Sequence, residues 1–200
     1  MVKRALIIGV SILVLGIGLA YGLSLFQVHE FSGTVYQTPA QAPPIVLPAS
    51  DGSTFDLVDQ QGKIVLVFFG YTSCPDVCPT TLSDLKRVTE ILGNKAGETQ
   101  VVFVTVDPER DTVEKLHSYL SLFLPSFIGL TGTEEELSKV YADYGVYREI
   151  DAASKTEAGY LVNHSTRLYL IDQEGDLFIT YSYGTDPEAI AADIEYLLDE

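Results

Sequence analysis

Three kinds of hydrophobic pattern follow one another along the chain. The first is an uncharged run, ALIIGVSILVLGIGLAYGLSLF (residues 5–26), apolar on every side. As a helix it would reach about 33 Å at ~1.5 Å per residue, the thickness of a bilayer's hydrocarbon core. The second kind is short and continuous. KIVLVFFG (63–70) and QVVFVTVD (100–107) are rich in β-branched and aromatic residues without polar alternation, as strands covered on both faces should be. TRLYLID (166–172) and LFITYSYG (177–184), parted by Gln173-Glu174-Gly175-Asp176, predict an antiparallel hairpin. IVLP and TFDLVD around Asp51-Gly52 predict another. The third kind has helical spacing and explicit start signals. Asp111 with Glu114 and Thr133 with Glu136 read as capping boxes, and Asp186 precedes Pro187 at the first position of AIAADIEYLL. The order β, α, β, α, α, β-β, α predicts one α/β domain, a mixed sheet with helices on both faces, over residues 45–200. Residues 27–44 hold Gly33, Pro39, Pro43 and Pro44 without strong periodicity and read as a tether.

Charge gives the first segment a direction. Lys3 and Arg4 precede it, and no Lys or Arg follows before Lys63. The positive-inside rule keeps residues 1–4 in the cytoplasm, makes 5–26 a transmembrane anchor and sends the rest across. A cleaved signal peptide would have a shorter apolar stretch, roughly 7–15 residues, with a small-x-small exit. A mitochondrial transit peptide would be rich in Arg and Ser. The expectation is therefore a bacterial plasma membrane, with the domain on the extracytoplasmic, periplasmic side. The whole chain has 28 acidic and 12 basic residues, a net charge of −16, and no basic stripe to hold phosphates. Nucleic-acid binding is excluded on that ground, and a protein partner is expected.

The candidate chemistry lies in YTSCPDVCPTTL (71–82), directly after the first core run. Cys74 and Cys78 are the only cysteines of the chain. With Pro79 at the first helical position, Cys78 would stand at the helix cap, where free N–H groups and the helix dipole favour a thiolate. Spacing of four at a strand-to-helix junction lets both sulfurs converge on one point. Three readings remain open there: a plain disulfide, a redox dithiol, or a soft-metal site. A disulfide closing so short a loop stabilises little and leaves the thiolate-favouring position unexplained.

GYTSCPDVCPTTL, VTVDPERDT and NHSTRLYLID together resemble, in order and spacing, the signature segments of the Sco/SenC family. That resemblance implies a thioredoxin-like fold and a membrane-anchored, copper-binding metallochaperone that serves assembly of cytochrome c oxidase. Its partners would be the copper-binding subunit of the oxidase and a thiol reductant protein. The copper ligands it implies are Cys74, Cys78 and His164. Two thiolates and an imidazole suit Cu(I), and a similar donor set can hold Cu(II) or, with a fourth ligand, zinc. The sole methionine is Met1, so a Met-rich thioether site is excluded. By the same likeness His164 stands where thioredoxin-like oxidoreductases place a cis-proline beside the paired cysteines. His29 and His117 read as structural.

Where many members of the family carry an acid before the ligand histidine, this chain has Asn163. Asp76 and Asp107 remain as carboxylates that could act near the metal without binding it, and the rest of 107–111 reads as a turn and cap. Two other functions share the dithiol: a thiol–disulfide oxidoreductase acting on the cysteines of the copper-receiving partner, and a thiol peroxidase. Either would make the protein an enzyme; a metallochaperone is not one.

Overall fold

A strand that is apolar along its whole length needs neighbours on both edges and cover above and below. Ile64–Gly70 has all four, and each of its residues is buried. The computed structural model describes residues 29–157 and 159–199, together with Gly16 and Gly18. In chain order the strands are β1 Thr34–Gln41, β2 Val46–Pro48, β3 Thr54–Asp56, β4 Ile64–Gly70, β5 Thr99–Thr105, β6 Ile128–Leu130, β7 Arg148–Thr156, β8 Gly159–His164, β9 Leu168–Ile171 and β10 Asp176–Tyr181. The helices are α1 Val77–Leu92, α2 Val113–Leu120, α3 Glu134–Asp143 and α4 Pro187–Leu198.

Six strands form one mixed sheet in the order β1-β10-β9-β4-β5-β6. β4, β5 and β6 run parallel, while β9 lies antiparallel to β4 on its other edge. The register sets Phe68 beside Phe103 and Leu168, so adjacent strands stack their large side chains on one face. The rings show which face is which. Phe68 meets Phe103, and Phe103 meets Tyr119 of α2. Phe69, one residue on and therefore on the opposite face, meets Tyr141 of α3 and Tyr144. On α1, Cys78, Leu82, Leu85, Val88 and Leu92 are buried at spacings of four, three, three and four, the stripe of a helix lying on a core. The expected α/β architecture is the one observed, a central mixed sheet flanked by helices.

Several start signals act as expected. Thr133 and Glu136 make a reciprocal capping box on α3, and Asp186 accepts from the Glu188 N–H with Pro187 at the head of α4. Asp111 does not cap α2. Thr112 does, its hydroxyl accepting from the Lys115 N–H, because the Asp111 carboxylate is fully buried and engaged elsewhere. The stretch read as a tether also differs, since Thr34–Gln41 is a strand paired with β10. It is a sheet edge, exposed at nearly every position, with Pro39 and an irregular register between Val35 and Ala40. An exposed edge strand needs no alternation of apolar and polar residues, so its sequence carries no strand signal.

The expected anchor at 5–26 lies outside the described residues, Gly16 and Gly18 excepted. Among the described residues no helix is long and apolar enough to cross a membrane.

Close approach of α1 to β4 depends on Gly70. A Cβ there would stand 2.9 Å from Cys78 Sγ and 2.8 Å from the Phe103 ring. Gly70→Ala should therefore destabilise the domain by about 1–3 kcal/mol through overpacking, read as a lower denaturant midpoint at unchanged m-value. An unaltered midpoint would show that α1 moves away at no cost.

Candidate metal centre

The centre is built where β4 hands over to α1. After Gly70 the chain turns outward, and the Cys74 N–H closes the turn onto the Tyr71 carbonyl at 3.2 Å. α1 begins at Val77, with Asp76 before it, so Cys78 lies inside the first turn and not at the cap. The Asp76 carboxylate makes no cap bond and is exposed. The Cys78 N–H points instead at Cys74 Sγ, 3.5 Å away. Cys74 is half-buried, Cys78 is fully buried, and both are free thiols.

That arrangement reverses the expected roles of the two sulfurs. The Cys78 thiol donates to Cys74 and holds it well below the ordinary thiol range, at about 3; contact with His164 and the N–H groups of Asp76 and Cys78 act the same way, against the effect of burial. Cys78 is raised far above the ordinary range, because it is the donor in that pair and because it is buried. The helix-start N–H groups do favour a thiolate, and the sulfur they reach is that of Cys74.

His164 ends β8 and comes to the same place from the other half of the chain. Its Nε2 lies 3.6 Å from Cys78 Sγ, and one ligand atom from each of Cys74, Cys78 and His164 falls within 4.8 Å of the others. Its Nδ1 lies 2.8 Å from the Ser165 carbonyl. A carbonyl only accepts, so Nδ1 donates to it, and Nε2 is the ring nitrogen that faces the sulfurs. Donors each 2.0–2.3 Å from a common ion would stand roughly 3.5–4 Å apart, and the 3.6 Å between Cys78 Sγ and His164 Nε2 falls in that range. The ring is held edge-on by Tyr71 and Phe68, with centroids at 5.7 and 6.5 Å. Two sulfurs and an imidazole nitrogen form a donor set for a soft ion.

The remaining candidates supply no ligand atom to this cluster. Among the described residues no other group of His, Cys, Asp or Glu converges this way. His117 is exposed on α2, and Asn163 is exposed, one position from His164 on β8. Asp107 is fully buried, ion-paired with Arg110 and bonded to the Tyr160 hydroxyl at 2.8 Å. Asp111 is the residue the sequence reading missed. Its carboxylate accepts from the Thr72 N–H at 2.9 Å, from the Thr72 hydroxyl and from the Thr105 hydroxyl at 2.8 Å, with Lys115 Nζ at 3.3 Å. It pins the cysteine loop to the end of β5. The adjacent Thr112 was the signal for this, a second good cap that frees the acid for other work.

A family profile described as SCO1/SenC matches residues 35–199. The SCO2-like protein of Rickettsia conorii is 35% identical over 159 residues, spanning 74% of this chain and 76% of that protein. Copper-bound ScoI of Bradyrhizobium japonicum superposes with a TM-score of 0.73 at 36% identity, covering 80% of this chain and 100% of that one. The solution structure of apo Sco1 from Thermus thermophilus gives a TM-score of 0.76 at 37% identity, covering 86% and 99%.

Two outcomes follow from this geometry. Alkylation of Cys74 by iodoacetamide should keep its rate as pH falls from 8 to about 5, since its lowered pKa preserves the thiolate far below the usual value of about 8.5, while Cys78 stays unmodified. A rate dropping tenfold per pH unit, followed by mass spectrometry, would contradict it. Asp111→Ala should cost on the order of 2–3 kcal/mol by stranding the buried Thr105 hydroxyl and the Thr72 N–H, measured by denaturant unfolding; a variant as stable as the parent would show those groups find other partners.

Proposed function

This chain belongs to the SCO1/SenC family, and we propose that it is a membrane-anchored copper metallochaperone whose cargo is held by Cys74, Cys78 and His164. The observation that carries this reading is the convergence of the three donor atoms within 4.8 Å, with Nε2 facing the sulfurs and Nδ1 bonded to the Ser165 carbonyl. Similarity to a copper-bound relative supports copper as the ion. Two thiolates and one imidazole satisfy Cu(I) with three ligands, and the same donors serve Cu(II). Copper binding to both sulfurs displaces the Cys78 proton, because only a thiolate is a ligand. An oxidised Cys74–Cys78 pair would offer no thiolate, so a thiol reductant protein is a necessary partner.

The destination is the copper-binding subunit of cytochrome c oxidase. Residues 1–4 lie in the cytoplasm and 5–26 form the anchor. The domain stands on the extracytoplasmic side of a bacterial plasma membrane, where its strong negative charge keeps it from lying on anionic lipid.

A thiol–disulfide oxidoreductase is the second reading, favoured by one observation: the more exposed sulfur, Cys74, is the one held as thiolate. A Cys78→Ser trap would then accumulate a mixed disulfide through Cys74 without metal.

Titration of the reduced protein with Cu(I) against a competing chelator separates the readings. Cys78→Ser and His164→Ala should each lose more than about 100-fold in affinity, a larger effect than losing an outer partner of a metal ligand. Unchanged affinity in both variants would end the copper reading, and a mixed-disulfide yield independent of His164 would put the oxidoreductase in its place.

A further inference from the structure

His164 reaches the sulfurs from a hairpin that is not part of the main sheet. Among the described residues β7 and β8 pair only with each other, so no ladder there fixes the imidazole relative to β4. Something else must set the distance. Residues 160, 162 and 164 project from the same side of β8, and both positions before His164 are tied. The Val162 N–H donates to the Tyr71 hydroxyl at 3.3 Å, and the Tyr160 hydroxyl donates to Asp107 and Glu109. Between Tyr71 and Tyr160 stands the Arg110 guanidinium. It lies 3.7 Å from the centroid of the Tyr160 ring and 5.8 Å from that of Tyr71, with Nε on Asp107. Tyr71 belongs to the cysteine loop, its carbonyl accepting the Cys74 N–H; Tyr160 belongs to the histidine strand.

We propose that Arg110, gripped between Tyr71 and Tyr160, is a positioning residue that sets the place of His164 relative to the two sulfurs without touching the metal itself. Two details mark the slot as built for a flat cation. Arg110 Nη2 is buried with no hydrogen-bond partner among the described residues, so the aromatic faces, not a full set of acceptors, decide where the guanidinium sits. Gly159 has φ of +131°, and a Cβ there would approach Arg110 Nη1 to 3.1 Å, so glycine keeps the space clear. Lysine would supply the charge but not the plate that fills the slot. The inference rests on the copper reading above, and its test can fail separately.

The test uses the full chain in detergent with Arg110→Lys, Tyr160→Leu and Tyr160→Phe, and with His164→Ala as reference. Three properties are read: Cu(I) affinity against a competing chelator, the nitrogen superhyperfine pattern of the Cu(II)-loaded protein by electron paramagnetic resonance, and amide hydrogen exchange at Val162 and His164 without metal. Arg110→Lys and Tyr160→Leu should each weaken Cu(I) binding by roughly 10–100-fold, alter the nitrogen pattern and speed the exchange at least about tenfold, with Cys74 alkylation unchanged. Tyr160→Phe keeps the ring and gives up the hydroxyl's bonds to Asp107 and Glu109, so its effect on all three should be smaller than that of Arg110→Lys. Should Tyr160→Leu fail to fold, Arg110→Lys against Tyr160→Phe decides alone. If His164→Ala weakens binding while Arg110→Lys matches the parent, the positioning role is wrong and the copper reading stands. If His164→Ala changes nothing, the copper reading itself falls; the exchange data on metal-free protein still report whether Arg110 holds the strand.

Discussion

The cysteine half of the centre depends on one enclosed carboxylate. Asp111 has no exposed surface, and an isolated charge there would cost several kcal/mol. Hydrogen bonds from Thr72 and Thr105, with Lys115 alongside, offset that cost, and they do so only if three segments meet: the loop after β4, the end of β5 and the approach to α2. The Asp111 carbonyl also accepts from Thr131 beyond β6. A carboxylate satisfied in this way works as a fixed point. With Thr72 held, the loop has few residues left before Cys74, and α1 must then bring Cys78 down onto the bare backbone at Gly70. The positions of both sulfurs follow from a residue that touches neither.

From the same geometry comes the inequality of the thiols. Two thiolates side by side in a partly enclosed site repel each other, so the first deprotonation opposes the second. The first falls on Cys74, which collects the Cys78 S–H, the Cys78 N–H and the Asp76 N–H. The second is held back by burial and by the thiolate beside it. On the copper reading, a cation between the sulfurs removes that opposition, so arrival of the ion and departure of the Cys78 proton are a single event.

Legibility in the sequence followed burial and locality. β4 and β5 could be read because a strand covered on both faces must be apolar throughout, and the α3 and α4 starts because a cap is a contact within three residues. β1 could not, since an exposed edge strand carries no pattern. Nor could β7–β8, a small hairpin outside the main sheet. The α2 start misled because Asp111 and Thr112 are both good caps, and the choice between them was made by Thr72, 39 residues away. Cys78 was misplaced by two positions, Pro79 being the third helical residue and not the first, and that shift moved the thiolate from one sulfur to the other. Local signals located the elements; the contacts that tune the site are long-range.

The three donors differ in what holds them, and that difference has a direction. Cys74 and Cys78 belong to the β4–α1 junction, Cys74 on a loop tied through Thr72 to Asp111 and Cys78 on α1, fully buried against Gly70. His164 ends a hairpin held to the main body by side-chain contacts, each modest by itself. Elements attached in that manner open at lower free energy than core strands. A state with two sulfurs and no imidazole is therefore reached by a small hairpin displacement, whereas moving Cys78 away disturbs the core. On the copper reading, an ion handed to a competing ligand would be released first by the imidazole, and the sulfurs, set by Asp111 and Gly70, would be the last donors to hold it.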